Sequence, residues 1–494
     1  MKEAGSKLSP TLLLLLTLLS AHLHAATPNP ALAYNSLILD AIRNENTGPT
    51  SSTRNLAILH TAIYDAVNSI HPTHQSYLTI PAPPPNTSAE AAATSAGQTI
   101  MRILYPSLSA QTDALHLQIL ATLPADQTTT NGLLHGQTVA NLMLQSRQGD
   151  GSSTQVPYIP SNDPGQWLRT PPFYRPPLDP HWRYVTPFCL DNLERFVAPG
   201  PPPLNSEQYA TDLLEVQTLG SLNSTTRTPD QEQTAVFWSD FSYTAMPPGH
   251  WHEIAATLCL QYDFPLAQCS RLLALLSLSQ ADAAIACWEG KYRYNFWRPL
   301  TAIQRANEDN NPNTTADPNW DGLLPSPNFP EYPSGHSTFS KAAAQILTHI
   351  LGTDAISFSA TSDSLPGITR SFSSLSACAD EVGRSRIYGG FHFESANRDG
   401  KTSGKKIASF IAANYLLPLT DLPLLRIEPS PPSNITLRLH GNPGSTYHIE
   451  YSPNLITWFP LTNSPAQTGG TPIPLQPTDS NLPRFYRATE IPNP

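Results

Sequence analysis

Three short clusters in this chain hold residue types that can do chemistry together. The first is Lys291-Tyr-Arg-Tyr-Asn-Phe-Trp-Arg298-Pro299. The second is Tyr332-Pro333-Ser334-Gly335-His336-Ser337, running straight into an Ala-rich stretch, and the third is Ser385-Arg386-Ile-Tyr-Gly-Gly-Phe-His392. Each alone has an ordinary reading. Lys291 and Arg298, seven apart, read as a solvated stripe on one helix face, Ser334 as an N-cap, His392 as a core histidine. Together they spell an anion site. Lysine is scarce here, Lys2, Lys7, Lys291, Lys341, Lys401, Lys405 and Lys406 being all of it, so a Lys inside a motif stands out. Arg forks match tetrahedral oxyanions and Lys adds a point charge. Pro-Ser-Gly at a helix start presents free N–H groups and the positive end of the dipole. Gly335 lets backbone approach the anion, and His336 and His392 supply an acid/base and a ring nitrogen able to bond its central atom.

These clusters, read as Lys-x6-Arg-Pro, Pro-Ser-Gly-His and Ser-Arg-x5-His, resemble the signature of the vanadium-dependent haloperoxidases and the related type 2 phosphatidic acid phosphatases. The similarity to bacterial haloperoxidase-like proteins runs from about Ala31 to Leu416. It takes in Arg54 to Asn68, Phe237-Trp-Ser-Asp240 and Pro247-Pro-Gly-His-Trp251. The resemblance implies that Lys291, Arg298, Ser334, Gly335 and Arg386 hold the oxygens of vanadate, or of phosphate in the same site. It makes His392 the metal ligand, or the phosphorylated nucleophile of a phosphatase, and His336 the acid–base residue. Asp240 falls where an acid supports the catalytic Arg and His, and Lys291 polarises the oxidant. Trp288 and Phe329 match the apolar halide pocket of fungal chloroperoxidases. One position departs: the family often has Asp four residues after the last His, to orient its ring, and here that residue is Ala396. Glu394 and Asp399 are the acids expected to stand in for it.

Around these clusters the text is helical. Apolar residues fall at helical spacing over Leu32–Val67, Ala89–Leu104, Ala110–Leu123, Leu133–Leu144, Glu207–Leu219, Gln231–Trp238, His252–Leu260, Pro265–Asn295, Ser337–Leu351 and Gly400–Leu416. Between Gly149 and Pro203, Pro-Pro pairs forbid regular helix. No βαβ alternation appears, so the main body reads as an all-α helical bundle, and the resemblance implies that it is of vanadium chloroperoxidase type. After Leu417 the pattern changes to Ile435, Leu437, Leu439, then Tyr447, Ile449, Tyr451, which predicts a small C-terminal β-sandwich module. The expected domains are a signal peptide over 1–25, the helical haloperoxidase/acid phosphatase-like domain over 31–416 and the β-module over 426–494. The linker from Pro418 to Pro423 marks the boundary between the last two. Lys2, Lys7 and the Leu-rich run before Ala25 read as an export signal, placing the mature protein in the periplasm, at the cell surface or outside the cell. His60 and Asp65, inside an apolar helix, read as packing with internal hydrogen bonds, and His250 and His252 do not read as a separate metal site.

Composition narrows the function. The formal charge is −10 with only 13% charged residues, against nucleic acid as a partner, and the apolar fraction of 39% is that of a folded chain. No stretch reaches about 18 uninterrupted apolar residues, so no stable membrane span is expected. Five Cys without a CxxC pair predict core residues, with one disulfide conceivable in an exported protein. The reading is a vanadate-dependent haloperoxidase that oxidises halide with hydrogen peroxide to hypohalous acid, which then halogenates small organic acceptors. The alternatives are an acid phosphatase acting on phosphate monoesters through a phosphohistidine and a non-catalytic exported oxyanion-binding protein.

Overall fold

The computed structural model describes residues 28–419, 423–430, 434–441, 443–453, 457–467, 469–475 and 485–491. The expected signal peptide lies outside the described residues, as do residues 420–422 of the linker. The long helix expected over 32–67 is two. Helix α1 (Pro30–Asn44) ends in a short turn, and α2 (Pro49–Asn68) starts afresh after Gly48. Pro49 has no N–H to give and its ring would strike the preceding turn, so it sits where a helix begins. Then come α3 (Ala89–Leu104), α4 (Ser109–Leu120) and α5 (Gln127–Ser146), followed by α6 (Glu207–Leu219), α7 (Pro229–Phe237) and α8 (Met246–Gln261). The central element is α9 (Leu266–Tyr294), long and apolar enough to cross a membrane but with its apolar window wholly buried in the fold. The short α10 (Pro299–Gln304) precedes α11 (Gly335–Leu351), α12 (Leu375–Tyr388) and α13 (Glu394–Asn414). The body also carries a hairpin the all-α reading left out, β1 (Phe358–Thr361) paired antiparallel with β2 (Thr369–Phe372). Phe358, Ala360 and Phe372 point into the core, so its alternation is too short to register as a sheet pattern.

Two contacts set the positions of the motif residues. Helix α11 packs on α13 at glycine: a Cβ on Gly404 would lie 2.2 Å from the Thr338 carbonyl oxygen. The turn between α12 and α13 passes through Gly390 at φ +86°, where its backbone meets Gly220 and Gly322 too closely for any side chain. The irregular 149–203 region is tied down by one buried acid. Asp282 of α9 accepts the N–H groups of Phe188, Cys189 and Leu190 at 2.6, 2.8 and 2.9 Å. Burial raises its carboxyl to about 6 while those N–H donors pull the other way. Asp65 does the same for Tyr77 and Leu78, but His60 finds no hydrogen-bond partner and stacks on His252 instead. All five cysteines are free and buried.

The C-terminal strands form two three-stranded antiparallel sheets. One has the order β3 (Leu424–Ser430), β4 (Asn434–His440), β7 (Thr471–Pro474), the other β6 (Phe459–Pro465), β5 (Thr446–Ser452), β8 (Phe485–Glu490). They share a core of Leu437, Leu439, Tyr447, Ile449, Ala466 and Ile473. Arg438 reaches the helical body, bonding Asp191 at 2.6 Å and lying over Phe410.

The α11–α13 contact leads to a test. Gly404→Ala forces a methyl against a backbone oxygen that cannot swing away, and overpacking of this kind costs about 1–3 kcal/mol. Urea unfolding should show that loss, with weakened oxyanion binding alongside it, because the helix displaced is the one carrying Ser334 to His336.

Candidate active site

Segments from distant parts of the chain converge on one cavity of about 490 Å³. Its floor is made by Gly335 and His336 at the start of α11, Arg386 in the last turn of α12, His392 in the turn beyond, and Asp240 after α7. Trp288 and Phe329 form an apolar wall with rings 5.2 Å apart, and Phe339, which sequence reasoning missed, extends it. Ser334 caps α11, its side chain accepting from the Ser337 N–H. The first N–H groups of that helix have no intrahelical partner and a positive dipole end behind them. A Cβ on Gly335 would meet nothing closer than 3.6 Å, so what keeps that backbone bare is the cavity side.

Lys291, Arg298 and Ser334 lie just behind the surface. Lys291 and Arg298 are not one helical stripe: α9 ends at Tyr294 with Asn295 left-handed at φ 48°, and Arg298 is the residue before α10. Both are fully buried. The Lys291 ammonium donates to the carbonyls of Pro330, Glu331 and Pro333 at 3.0, 3.0 and 2.6 Å and lies 4.8 Å from the Phe329 ring centre. Burial pushes it down to about 7, and Arg298 and Arg386 push the same way against Cys287 and Glu331. Arg298 donates to the Phe329 and Phe391 carbonyls, leaving Nη2 buried without a partner. Arg386 donates to the Trp238 carbonyl and leaves Nε likewise unpartnered.

The ring of His392 is fixed by an acid that the sequence reading did not name. Neither Glu394 nor Asp399 takes the place vacated at Ala396: Glu394 bonds Asn397 and Arg384, and Asp399 bonds Tyr332 and Arg398. Instead Glu331 Oε1 stands 2.7 Å from His392 Nδ1 and accepts the Phe393 N–H at 3.0 Å. Ala396 is packed in an apolar cluster with Trp297, Tyr332 and Phe393, where a carboxylate would be stranded. The tautomer follows from geometry. Arg298 Nη1 lies 3.2 Å from His392 Nε2 and can only donate, so Nε2 carries the lone pair and Nδ1 the proton. Burial raises Glu331 to about 8, with Arg298, the Phe393 N–H and Lys291 pulling against that rise. His392 itself is driven well below the usual histidine range by burial, then by Arg298, Lys291 and Arg386, and stays neutral. The signal was present: Glu331 is the one acid between Gly322 and His336, next to the Pro-Ser-Gly-His motif.

Asp240 sits at φ 44°, a left-handed position unusual for a non-glycine residue, and stands between two histidines. Its Oδ1 is 3.2 Å from His250 Nδ1 and its Oδ2 3.8 Å from His336 Nε2. His336 Nε2 has no hydrogen-bond partner, and burial, then Arg386 and Lys291, hold that ring well below its ordinary value. His250 is thus a site neighbour, and His252 belongs with Asn35 in the core. Three buried cations therefore face two carboxylates, and unpartnered N–H groups of Arg298 and Arg386 remain beside the lone pair of His392 Nε2. A buried charge without a partner is costly, so an arriving anion is favoured. A tetrahedral oxyanion whose central atom accepts a nitrogen ligand, which describes vanadate and also phosphorus in flight, fits this donor set.

Comparison with known proteins agrees. The model of the vanadium chloroperoxidase N-terminal domain matches residues 28–173, and that of the VCPO second helical-bundle domain matches residues 271–417. Vanadium chloroperoxidase from Curvularia inaequalis is 27% identical over 377 residues, and the match spans 61% of this chain and 61% of that protein's length. Among solved structures, the first bacterial vanadium-dependent iodoperoxidase is 26% identical with a TM-score of 0.71, covering 80% of this chain and 98% of that one. A holo-type bacterial vanadium-dependent chloroperoxidase, 18% identical with a TM-score of 0.59 over 73% of this chain and 91% of that one, shares the fold.

Two binding measurements follow. Glu331→Gln should weaken orthovanadate binding by about 10–100-fold, the usual cost of losing the group that orients a ligating histidine. Asp399→Asn should leave it near that of the unaltered chain; the reverse order would return the role to Asp399. Lys291 predicts a pH effect. Its ammonium is present below about 7 and lost above, so the advantage of the native chain over Lys291→Met in orthovanadate affinity should shrink from pH 6 to pH 9. Taking the ratio at each pH removes the titration of the anion itself.

Proposed function

The chain belongs to the vanadium haloperoxidase family, and we propose that it oxidises halide with hydrogen peroxide to hypohalous acid, with vanadate held in this cavity. The observation that carries the reading is the His392 ring, fixed by Glu331 with its Nε2 lone pair toward Arg298 and flanked by unpartnered N–H groups of Arg298 and Arg386. The two relatives above 25% identity are described as a chloroperoxidase and an iodoperoxidase, which supports peroxidase chemistry without choosing the halide.

In this proposal His392 would ligate the metal, and Arg298, Arg386, Lys291, Ser334 and the Gly335 backbone would hold its oxygens. Vanadate when bound supplies a Lewis-acidic centre that polarises peroxide without changing oxidation state. The protein supplies the rest. His336, neutral and with Nε2 unpartnered, takes the proton that peroxide must lose. Asp240, 3.8 Å away, steadies the imidazolium that results. Trp288, Phe329 and Phe339 keep water from the halide side. Lys291 would add positive charge toward the oxidant from behind the cavity floor. The same lone pair could attack a phosphate ester as a nucleophile, so hydrolysis belongs in the test. We further read residues 1–25 as an export signal, the two C-terminal sheets as a sandwich, and residues 31–416 as the unit that carries the chemistry.

The experiment is reconstitution with orthovanadate, followed by peroxide-dependent oxidation of iodide, bromide and chloride, with p-nitrophenyl phosphate hydrolysis in parallel. Turnover with at least one halide is expected; phosphate ester hydrolysis without halide oxidation would replace the reading with the phosphatase. His392→Ala should lose vanadate and activity together. His336→Ala should keep vanadate and lose about 10²–10⁴ in rate. Equal loss of vanadate in both would show the two roles wrongly assigned.

A further inference from the structure

The cavity is larger than the proposed reaction requires. A water molecule occupies about 30 Å³ in the liquid, so a tetrahedral oxyanion and a halide fill on the order of 150 Å³ of roughly 490 Å³. The remainder lies outward, in the size range of pockets that enclose a small organic molecule. Its walls are rings: Pro171, Phe173, Phe241, Pro325 and Pro327. The only charged side chain lining that outer part is Arg175, and the only carboxylate lining the cavity anywhere is Asp240 at the floor. Arg175 has no ion pair or hydrogen bond among the described residues, and its guanidinium lies 4.8 Å from the Phe173 ring centre. A guanidinium on an aromatic face presents its N–H fork edge-on to an incoming carboxylate.

The backbone around this space is also unusual. Asn46, Tyr174, Asp179, Asp240, Tyr243 and Met246 all have φ between 44° and 68°, and each lines the cavity or adjoins a lining residue. They are more than half of the positive-φ residues other than glycine among the described residues. Such conformations persist only where the surroundings impose them, and they collect at binding sites. Loop contacts hold the wall: the Leu178 N–H donates to the Asn328 carbonyl at 2.9 Å and the Asn328 amide to the Pro176 carbonyl at 2.7 Å.

We infer that the outer half of the cavity is a binding subsite for the organic acceptor, and that the acceptor is an aromatic anion: a phenol ring seated among Phe173, Phe241 and the prolines, with its carboxylate on Arg175. This rests on the haloperoxidase reading for its chemistry. A ring carbon attacks the halogen of hypohalous acid, forming the carbon–halogen bond as the halogen–oxygen bond breaks. The oxygen leaves as hydroxide and takes the proton lost from that carbon, giving water. Peroxide is the only oxidant used.

The test uses the full chain and two probes, 4-hydroxybenzoate and its neutral counterpart 4-hydroxybenzyl alcohol. Without peroxide, saturation-transfer NMR and calorimetry should show 4-hydroxybenzoate bound. Arg175→Ala should weaken that binding by about tenfold, the order expected for one carboxylate–guanidinium contact, and Arg175→Lys should restore part of it. With peroxide and halide, halogenation of 4-hydroxybenzoate should saturate, and its kcat/KM relative to the alcohol should fall about tenfold in Arg175→Ala. No binding by the native chain, or binding and selectivity indifferent to Arg175, overturns the subsite. Equal binding of the two probes leaves an apolar pocket and overturns the anionic class. Arg175-dependent binding in a protein that oxidises no halide keeps the subsite and fails the haloperoxidase reading. Halide oxidation with no acceptor binding does the reverse.

Discussion

Burying Lys291, Arg298 and Arg386 together is the constraint to which the rest of this fold answers. Three cations in one dry region repel one another and lose hydration that is expensive to replace. The chain meets that cost with oriented carbonyls rather than with matched acids. Lys291 is held by three carbonyls from the loop before α11, Arg298 by those of Phe329 and Phe391, Arg386 by that of Trp238. Carbonyl oxygens solvate a cation without cancelling its charge, so the region stays net positive and keeps its pull on an anion. Those carbonyls must be placed accurately, which explains why the loops that bring them are pinned so firmly. The Gly390 turn, which leads into Phe391, sets its backbone against Gly220 and Gly322.

Helices and cations were legible because each leaves a local mark. Apolar spacing marked most of the helices, and Lys and Arg in short motifs marked the anion site. The misses share a physical cause: they depend on pairs of residues far apart in the chain. Glu331 works across a gap of 61 positions to His392, and no spacing rule links them. The acid was sought four residues beyond the histidine, one helical turn away, but in this chain that side of the ring is apolar and the acid comes from the opposite loop. The same holds for the cavity wall at Phe173 and Phe241, which sits on irregular backbone with no period to read. The split of the first long helix is different, since Pro49 was in plain sight and apolar periodicity on both sides outweighed it. The β1–β2 hairpin escaped notice because four residues per strand give too few alternations to distinguish from chance.

The exchange of Ala396 for Glu331 has a geometric consequence. An acid on α13 would move with that helix, whereas Glu331 belongs to the loop whose carbonyls hold Lys291 and which runs into the start of α11. The ring of His392 is thereby tied to the same segment that presents Ser334, Gly335 and His336. Glu331 serves both ends of this link, since its side chain fixes the histidine and its own carbonyl accepts from Lys291. Ligand orientation and oxyanion cradle are then set by one rigid piece of chain rather than by two helices in register. The Ser334 N–H bond to the Ala396 carbonyl, 3.1 Å, and the Tyr332 hydroxyl bond to Asp399, 2.8 Å, close the arrangement by attaching that piece to α13.

Asp240 completes the electrostatics by dividing two histidines between opposite tasks. His336 looks onto Arg386 and Lys291, and the repulsion of those cations adds to burial in keeping it neutral. His250 lies on the other side of the carboxylate; burial alone would hold it down as well, but Asp240, then Glu253, outweigh burial and raise it. Glu253 is in turn paired with Arg43, and Arg43 with Asp363, so the positive side of His250 is set within a network running away from the cavity. A protonated His250 draws on the charge of Asp240 from behind, and the carboxylate then competes less for Arg386. The unpartnered Nε of Arg386 is what remains on the cavity side. Two imidazoles with similar burial are thus shifted in opposite directions by their neighbours, the one facing cations downward and the one facing acids upward. The left-handed backbone at Asp240 is what allows a single short side chain to stand between them.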